Sequence, residues 1–280
     1  MDDPAKSTPE NPEEKLKIYF LPNLLTAGNL FCGFVALTKI VDADPYAETY
    51  FDEIKMALAF ILLACIFDLL DGRVARMGGV ESPFGREFDS LADLISFGVA
   101  PAFLVQRVVL ADVFGQYRSI SWFIASIYLL CGAFRLARFN CLAMMGGSSS
   151  KDFLGFPIPS AAGLVASLTL LIIHFNTNGK SLGPGNYVIA VVLIFLSAMM
   201  VSTVRYPSFK SLGLRSTSTF AKAIGFAIFI GALFILRDKI LYYVLPAFFT
   251  LYLVYGFVRP SLSRAWRREI EEEDDEHETS

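Results

Sequence analysis

The chain has 280 residues, 54% of them hydrophobic and 14% aromatic, with a net charge of −3 at neutral pH. That hydrophobic share exceeds the roughly 45–50% of a soluble globular protein, and apolar stretches recur so closely from about residue 21 to residue 258 that no soluble domain of useful size remains between them. The composition excludes an ordinary soluble enzyme, leaves no expected nucleic-acid partner, and points to an all-α, polytopic transmembrane helix bundle among membrane lipids.

Residues 1–17 mix acidic residues, Lys and Pro ahead of any apolar run. This reverses the order of a signal peptide, so none is expected to be cleaved, and the segment reads as a polar tail. Residues 18–260 form the membrane domain. Within it, apolar runs predict eight helices at about 21–41, 55–76, 86–110, 117–143, 157–176, 186–204, 219–236 and 240–258. Arg237-Asp-Lys239 is either a tight turn between the last two or a break in one long helix. Residues 261–280 are a charged tail, acidic from Glu269 onward, expected to stay solvated and disordered.

With the N-terminus in the cytoplasm, seventeen of the 24 Lys and Arg fall on the inner side and the acidic segment 42–53 falls outside. That asymmetry predicts that both termini are cytoplasmic, in the cell membrane. Cys32, Cys65, Cys131 and Cys141 lie in or beside apolar segments without metal-ligand spacing, and are read as packing residues. His174 and His277 form no cluster.

Chemistry concentrates between the second and third helices, on the cytoplasmic side. The chain there reads Asp68-Leu-Leu-Asp71-Gly72-Arg-Val-Ala75-Arg76 and then, after a loop of Gly, Ser82 and Pro, Gly85-Arg-Glu-Phe-Asp89-Ser-Leu-Ala-Asp93. Asp68 and Asp71 are spaced i, i+3 and Asp89 and Asp93 i, i+4, so each pair lies along one face of its helix. Four carboxylates at the end of an apolar bundle repel one another unless cations compensate them. All-oxygen ligation suits Mg²⁺, Mn²⁺ or Ca²⁺ rather than Zn²⁺. A carboxylate-held metal pair is suited to screening a pyrophosphate and orienting in-line attack on phosphorus. Gly72 and Ala75 permit close approach of a ligand or helix, and Arg76 is suited to phosphate while Arg73 reads as an interfacial anchor. The plainer alternative is an interfacial salt-bridge network with Arg73, Arg76 and Arg86.

The string D-x2-D-G-x2-A-R-x8-G-x3-D-x3-D, from Asp68 to Asp93, resembles the signature of the CDP-alcohol phosphotransferase family at every fixed position. The resemblance implies that Asp68, Asp71 and Asp89 bind divalent metal, Mg or Mn, as two ions per site. It further implies that Asp93 shares in metal binding and is the catalytic base for the acceptor hydroxyl, that Gly72 and Gly85 lie at the nucleotide end, and that CMP leaves. Homodimers are usual for proteins of this kind. Asn23, Thr26 and Asn29 place polar groups on successive turns of the first helix. By resemblance that face meets the nucleotide, so the expected CDP-lipid contacts are Asn23, Thr26, Asp68, Gly72, Ala75, Arg76, Ser82 and Gly85; helix capping and interhelical bonding are the structural alternatives.

Four further segments are similar to membrane-embedded phosphatidylserine synthases: the stretches beginning at Leu21, Phe134 and Phe156, and Val204-Arg205-Tyr206-Pro207-Ser208-Phe-Lys210. They imply CDP-diacylglycerol and L-serine as substrates. Serine needs a cation for its carboxylate, for which Arg135 and Arg138, followed by Asn140, are the candidates, with Arg138 and Asn140 ahead of Arg135. Arg205, Tyr206, Ser208 and Lys210 are candidates for phosphate or lipid headgroups. Glycerol 3-phosphate or an inositol phosphate as acceptor, and an archaeal CDP-ether lipid as donor, preserve the same mechanism. A cation channel or transporter is the alternative from another class, although its polar residues should extend to the midplane.

Overall fold

The computed structural model describes residues 20–78, 82–144, 152–177, 187–207 and 241–258. They form seven helices: α1 (Phe20–Asp42), α2 (Tyr50–Gly78), α3 (Pro83–Phe114), α4 (Arg118–Met144), α5 (Ile158–Thr177), α6 (Tyr187–Val201) and α7 (Leu241–Val258). The strands among these residues form a two-stranded antiparallel ribbon, β1 (Asp152–Leu154) with β2 (Arg205–Pro207), pairing Phe153 with Tyr206. Both expected tails, the helix expected at 219–236 and the turn at 237–239 lie outside the described residues.

Four helices, α1, α3, α4 and α5, are long and apolar enough to cross a membrane. α2 is as long, with Asp68 and Asp71 toward its C-terminal end, while α6 and α7 are shorter apolar helices. Lipid-facing residues such as Phe31, Phe34, Trp122 and Leu251 are exposed, as expected where the surrounding solvent is hydrocarbon rather than water.

The helix ends follow from local chemistry. Ser82, in extended conformation, accepts a hydrogen bond from the Gly85 N–H (3.0 Å) and Pro83 occupies the first helical position, so α3 begins with a side-chain cap. Its far end stops at Gly115, whose φ of 36° continues no helix. α2 starts five residues before the predicted 55, because Asp52 and Glu53 favour its N-terminal turn. Glu53 also pairs with Lys39 at the end of α1 (2.8 Å).

α3 is not a uniform helix. π-helical turns at Leu94–Val99 and Gln106–Leu110 interrupt it. Pro101 offers no N–H to the Phe97 carbonyl four residues back, and the wholly buried Tyr128 of α4 donates its hydroxyl to that oxygen (3.0 Å). Close to the first π turn, α1 crosses α3 at Gly33. A Cβ there would run into Ser96, whose hydroxyl donates to the Asn29 carbonyl (2.9 Å).

Arg138 sits beside the end of α6, where the last carbonyls lack helical donors. Its guanidinium donates to the carbonyls of Val201 (2.8 Å), Leu154 (3.1 Å), Ser202 (3.1 Å) and Met200 (3.3 Å). One side chain thus ties α4 to α6 and to the ribbon. Arg138→Leu leaves these carbonyls without their donor and lowers thermal stability in detergent by about 2 kcal/mol; Arg138→Lys recovers part of it. An unchanged melting temperature in Arg138→Leu would refute this role.

Candidate active site

The C-terminal end of α2 and the N-terminal end of α3 bring three carboxylates together. One oxygen each from Asp68, Asp71 and Asp89 lies within 4.8 Å of the others. Asp93 lies one turn along α3 from Asp89, buried, within electrostatic reach of Asp68 and Asp89. The expected set of four therefore divides into a group of three and a deeper fourth.

α1 braces both pairs. Thr26 donates its hydroxyl to Asp71 Oδ2 (2.8 Å), and Asn29 donates its amide to Asp93 Oδ1 (3.1 Å). Asn29 is thus an interhelical bond, as one of the two readings of that polar face expected, and Thr26 faces a carboxylate. Asn23 has a buried Nδ2 without a hydrogen-bond partner among the described residues. Its Oδ1 lies 3.3 Å from the position a Cβ of Gly85 would take, so that glycine lets the first turn of α3 lie against α1. Ser82 caps the same turn. Gly72 and Ala75 are half-buried on the last turns of α2; the Arg76 side chain lies outside the described residues.

The carboxylate group fits a divalent cation by its chemistry. Its donors are all oxygen, which suits a hard ion. Asp89 Oδ1 is also buried without a hydrogen-bond partner, an arrangement that is costly unless a cation or ligand satisfies it.

Arg135 and Arg138, three residues apart on α4, are placed differently. Arg138 is committed to the four carbonyls. Arg135 is buried, 7% exposed, within electrostatic reach of Asp93 and Asp68, and its Nε has no hydrogen-bond partner among the described residues. Its guanidinium carbon lies 5.9 Å from the centre of the Phe139 ring, a cation–π contact. The geometry thus reverses the order of the two arginines expected from the sequence. Asn140 donates to Ser90 Oγ (2.9 Å) and Glu87 Oε2 (3.3 Å) on α3. These two residues escaped the sequence reading, although they flank the aspartates at i−2 and i+1 of Asp89.

Tyr206 is wholly buried, packed on Phe156 (5.2 Å between ring centres) and Tyr252 (5.8 Å), and donates its hydroxyl to the Leu253 carbonyl (3.5 Å). Burial, reinforced by the Tyr252 hydroxyl, pushes its phenol above the usual range, so it remains a donor. The expected contact of Tyr206 with phosphate or lipid is corrected accordingly: its hydroxyl is spent inside the protein. The Arg205 side chain, Ser208 and Lys210 lie outside the described residues.

Comparison with known proteins bears on this arrangement. The CDP-alcohol phosphatidyltransferase family model matches residues 19–204, which contain every carboxylate of the site. The chain belongs to that family. Among its relatives is a Helicobacter pylori (strain J99) protein named CDP-diacylglycerol–serine O-phosphatidyltransferase, 36% identical over 247 residues that cover 86% of this chain and 91% of the relative. A Bacillus subtilis protein of the same name is 33% identical over 191 residues, 68% of this chain and 92% of the relative. A Methanothermobacter thermautotrophicus protein named archaetidylserine synthase is 34% identical over 195 residues, 69% of this chain and 72% of the relative. A CDP-alcohol phosphatidyltransferase is an enzyme of phospholipid synthesis, and the ion-path alternative gives way to it.

Proposed function

We propose that the protein transfers the phosphatidyl group of CDP-diacylglycerol to the hydroxyl of L-serine, giving phosphatidylserine and CMP. The observation that carries the serine assignment is that a buried arginine, Arg135, lies within electrostatic reach of the buried Asp93. An acceptor bearing both a hydroxyl to be deprotonated and a carboxylate to be paired matches such a site. An acceptor phosphate, as in glycerol 3-phosphate or an inositol phosphate, would call for further cations beside Arg135. The names of the Helicobacter and Bacillus relatives support the same assignment.

In this mechanism Asp68, Asp71 and Asp89, with a share from Asp93, hold divalent metal, which we assign as two ions of Mg²⁺ or Mn²⁺. Metal held there would supply charge neutralisation for the pyrophosphate and for the CMP that leaves. Asn29 keeps the Asp93 carboxylate aimed. Asp93 takes the proton from the serine hydroxyl as that oxygen bonds to the lipid-bearing phosphorus. The bond from this phosphorus to the bridging oxygen breaks, and CMP leaves with the electron pair. Asn23, Gly85, Gly72 and Ala75 border the nucleotide, and Arg135 receives the serine carboxylate.

We further propose an eight-helix homodimer in the cell membrane with both termini and the site on the cytoplasmic side, as the Lys and Arg asymmetry supports. CMP release by detergent-purified protein tests the main reading, comparing serine, inositol, inositol 1-phosphate, glycerol 3-phosphate and no acceptor, with CDP-diacylglycerol or its ether analogue. Serine-dependent release, abolished by EDTA and restored by excess Mg²⁺ or Mn²⁺, is expected. Release with another acceptor alone overturns the serine assignment while leaving the family intact.

A further inference from the structure

A buried polar atom without a partner marks a place where a ligand group would be satisfied. Asn29 of α1 is 0% exposed, and its two amide atoms are treated differently. Nδ2 donates to Asp93 Oδ1 (3.1 Å), whereas Oδ1 is buried with no hydrogen-bond partner among the described residues. The amide lies this way round because the reverse would set its oxygen against a carboxylate oxygen. The main chain is held as well: Ser96 of α3 donates to the Asn29 carbonyl (2.9 Å), and Gly33, lacking a Cβ, lets the two helices meet there. An unused acceptor is thus fixed on the same amide as the donor that aims Asp93.

We propose that Asn29 Oδ1 accepts a hydrogen bond from the ammonium of an amino-alcohol acceptor whose hydroxyl lies at Asp93, which makes Asn29 a specificity-determining residue. Serine carries its hydroxyl and its ammonium on adjacent carbons, and Asp93 and Asn29 Oδ1 are neighbours in the same way. An ammonium offers donors alone, so it needs acceptors beside it. A neutral amide oxygen supplies one without adding negative charge to a site that already holds four carboxylates. The buried atoms without partners then sort by the group each would meet: Asn29 Oδ1 the ammonium, Arg135 Nε the serine carboxylate, Asp89 Oδ1 the metal. This inference rests on the serine reading of the site, and its test separates the two.

The experiment is steady-state CMP release by the full-length protein in detergent with CDP-diacylglycerol and Mg²⁺ or Mn²⁺. It compares serine with 3-hydroxypropionate, which keeps the hydroxyl and the carboxylate and replaces the ammonium by hydrogen. 3-Hydroxypropionate is measured as acceptor or, where turnover is too slow, as competitor of serine. The parent is expected to prefer serine, and Asn29→Ala to reduce that preference about tenfold. This comes in addition to the fall in kcat that a less well aimed Asp93 brings to both acceptors alike. Asn29→Asp puts an oxygen back in the same place and is expected to keep the preference despite a lower kcat. Where Asn29→Ala is too slow to assay, the melting-temperature rise that each acceptor gives with metal and CMP present replaces turnover, and the advantage of serine is expected to vanish. A parent that releases CMP with another acceptor and not with serine overturns the serine reading and this inference with it. If the parent uses serine and Asn29→Ala keeps the parental preference, the ammonium contact alone is refuted and Asn29 is only the brace of Asp93. A preference lost equally in Asn29→Asp would refute the amide oxygen as its source.

Discussion

Asp93→Asn is expected to reduce serine-dependent CMP release about a thousandfold while leaving the protein folded and able to bind CDP-diacylglycerol. The asparagine keeps an oxygen where Asn29 donates to Asp93 Oδ1, so the local hydrogen bond survives. The capacity to take a proton from the acceptor does not, and general-base catalysis contributes on the order of 10²–10⁴ in rate. The affected step is chemical, so the loss belongs in kcat, with KM for the CDP-lipid little changed. CMP release under saturating substrates, beside the melting temperature of the variant, distinguishes this from misfolding. A variant with a tenth or more of the parental rate would remove Asp93 from the role of base.

Gly33→Leu is expected to abolish activity without touching a residue of the chemistry. Any Cβ at position 33 runs into Ser96, main chain included, so α1 must move away from α3. Overpacking of this kind costs roughly 1–3 kcal/mol. The functional loss is expected to be greater than the loss of stability because the same helix carries Thr26 and Asn29, which hold Asp71 and Asp93, and reactive geometry tolerates little displacement. The check is a melting curve together with CMP release. A destabilised but fully active Gly33→Leu would show that α1 braces the fold and not the aspartates.

The helices were legible because length and apolarity speak directly in a membrane chain. The predicted 86–110 and 117–143 became Pro83–Phe114 and Arg118–Met144. The aspartates were legible for a different reason: their i, i+3 and i, i+4 spacings survive any error in tertiary packing. What failed to show was whatever depends on how one helix is rotated against another. Arg135 and Arg138 stand three residues apart on one side of α4, and only packing against α3 and α6 assigns one to the carboxylates and the other to main-chain carbonyls. The ribbon escaped because three-residue strands carry too little alternation to register, and the π turns because one extra residue in a turn leaves no mark on the composition of a largely apolar helix.

Those π turns separate two demands on one helix. A turn with an extra residue advances everything beyond it around the axis relative to everything before it. The first begins at Leu94, immediately after Asp93. The orientation of the aspartates toward α2 is therefore decoupled from the orientation of the C-terminal half, Ala100 to Phe114, toward its own neighbours. A change of packing around the Ala100–Phe114 half, such as accommodation to a thicker or thinner bilayer, can be absorbed at the bulge as a small rotation. The end that carries Asp89 and Asp93 then keeps its aim.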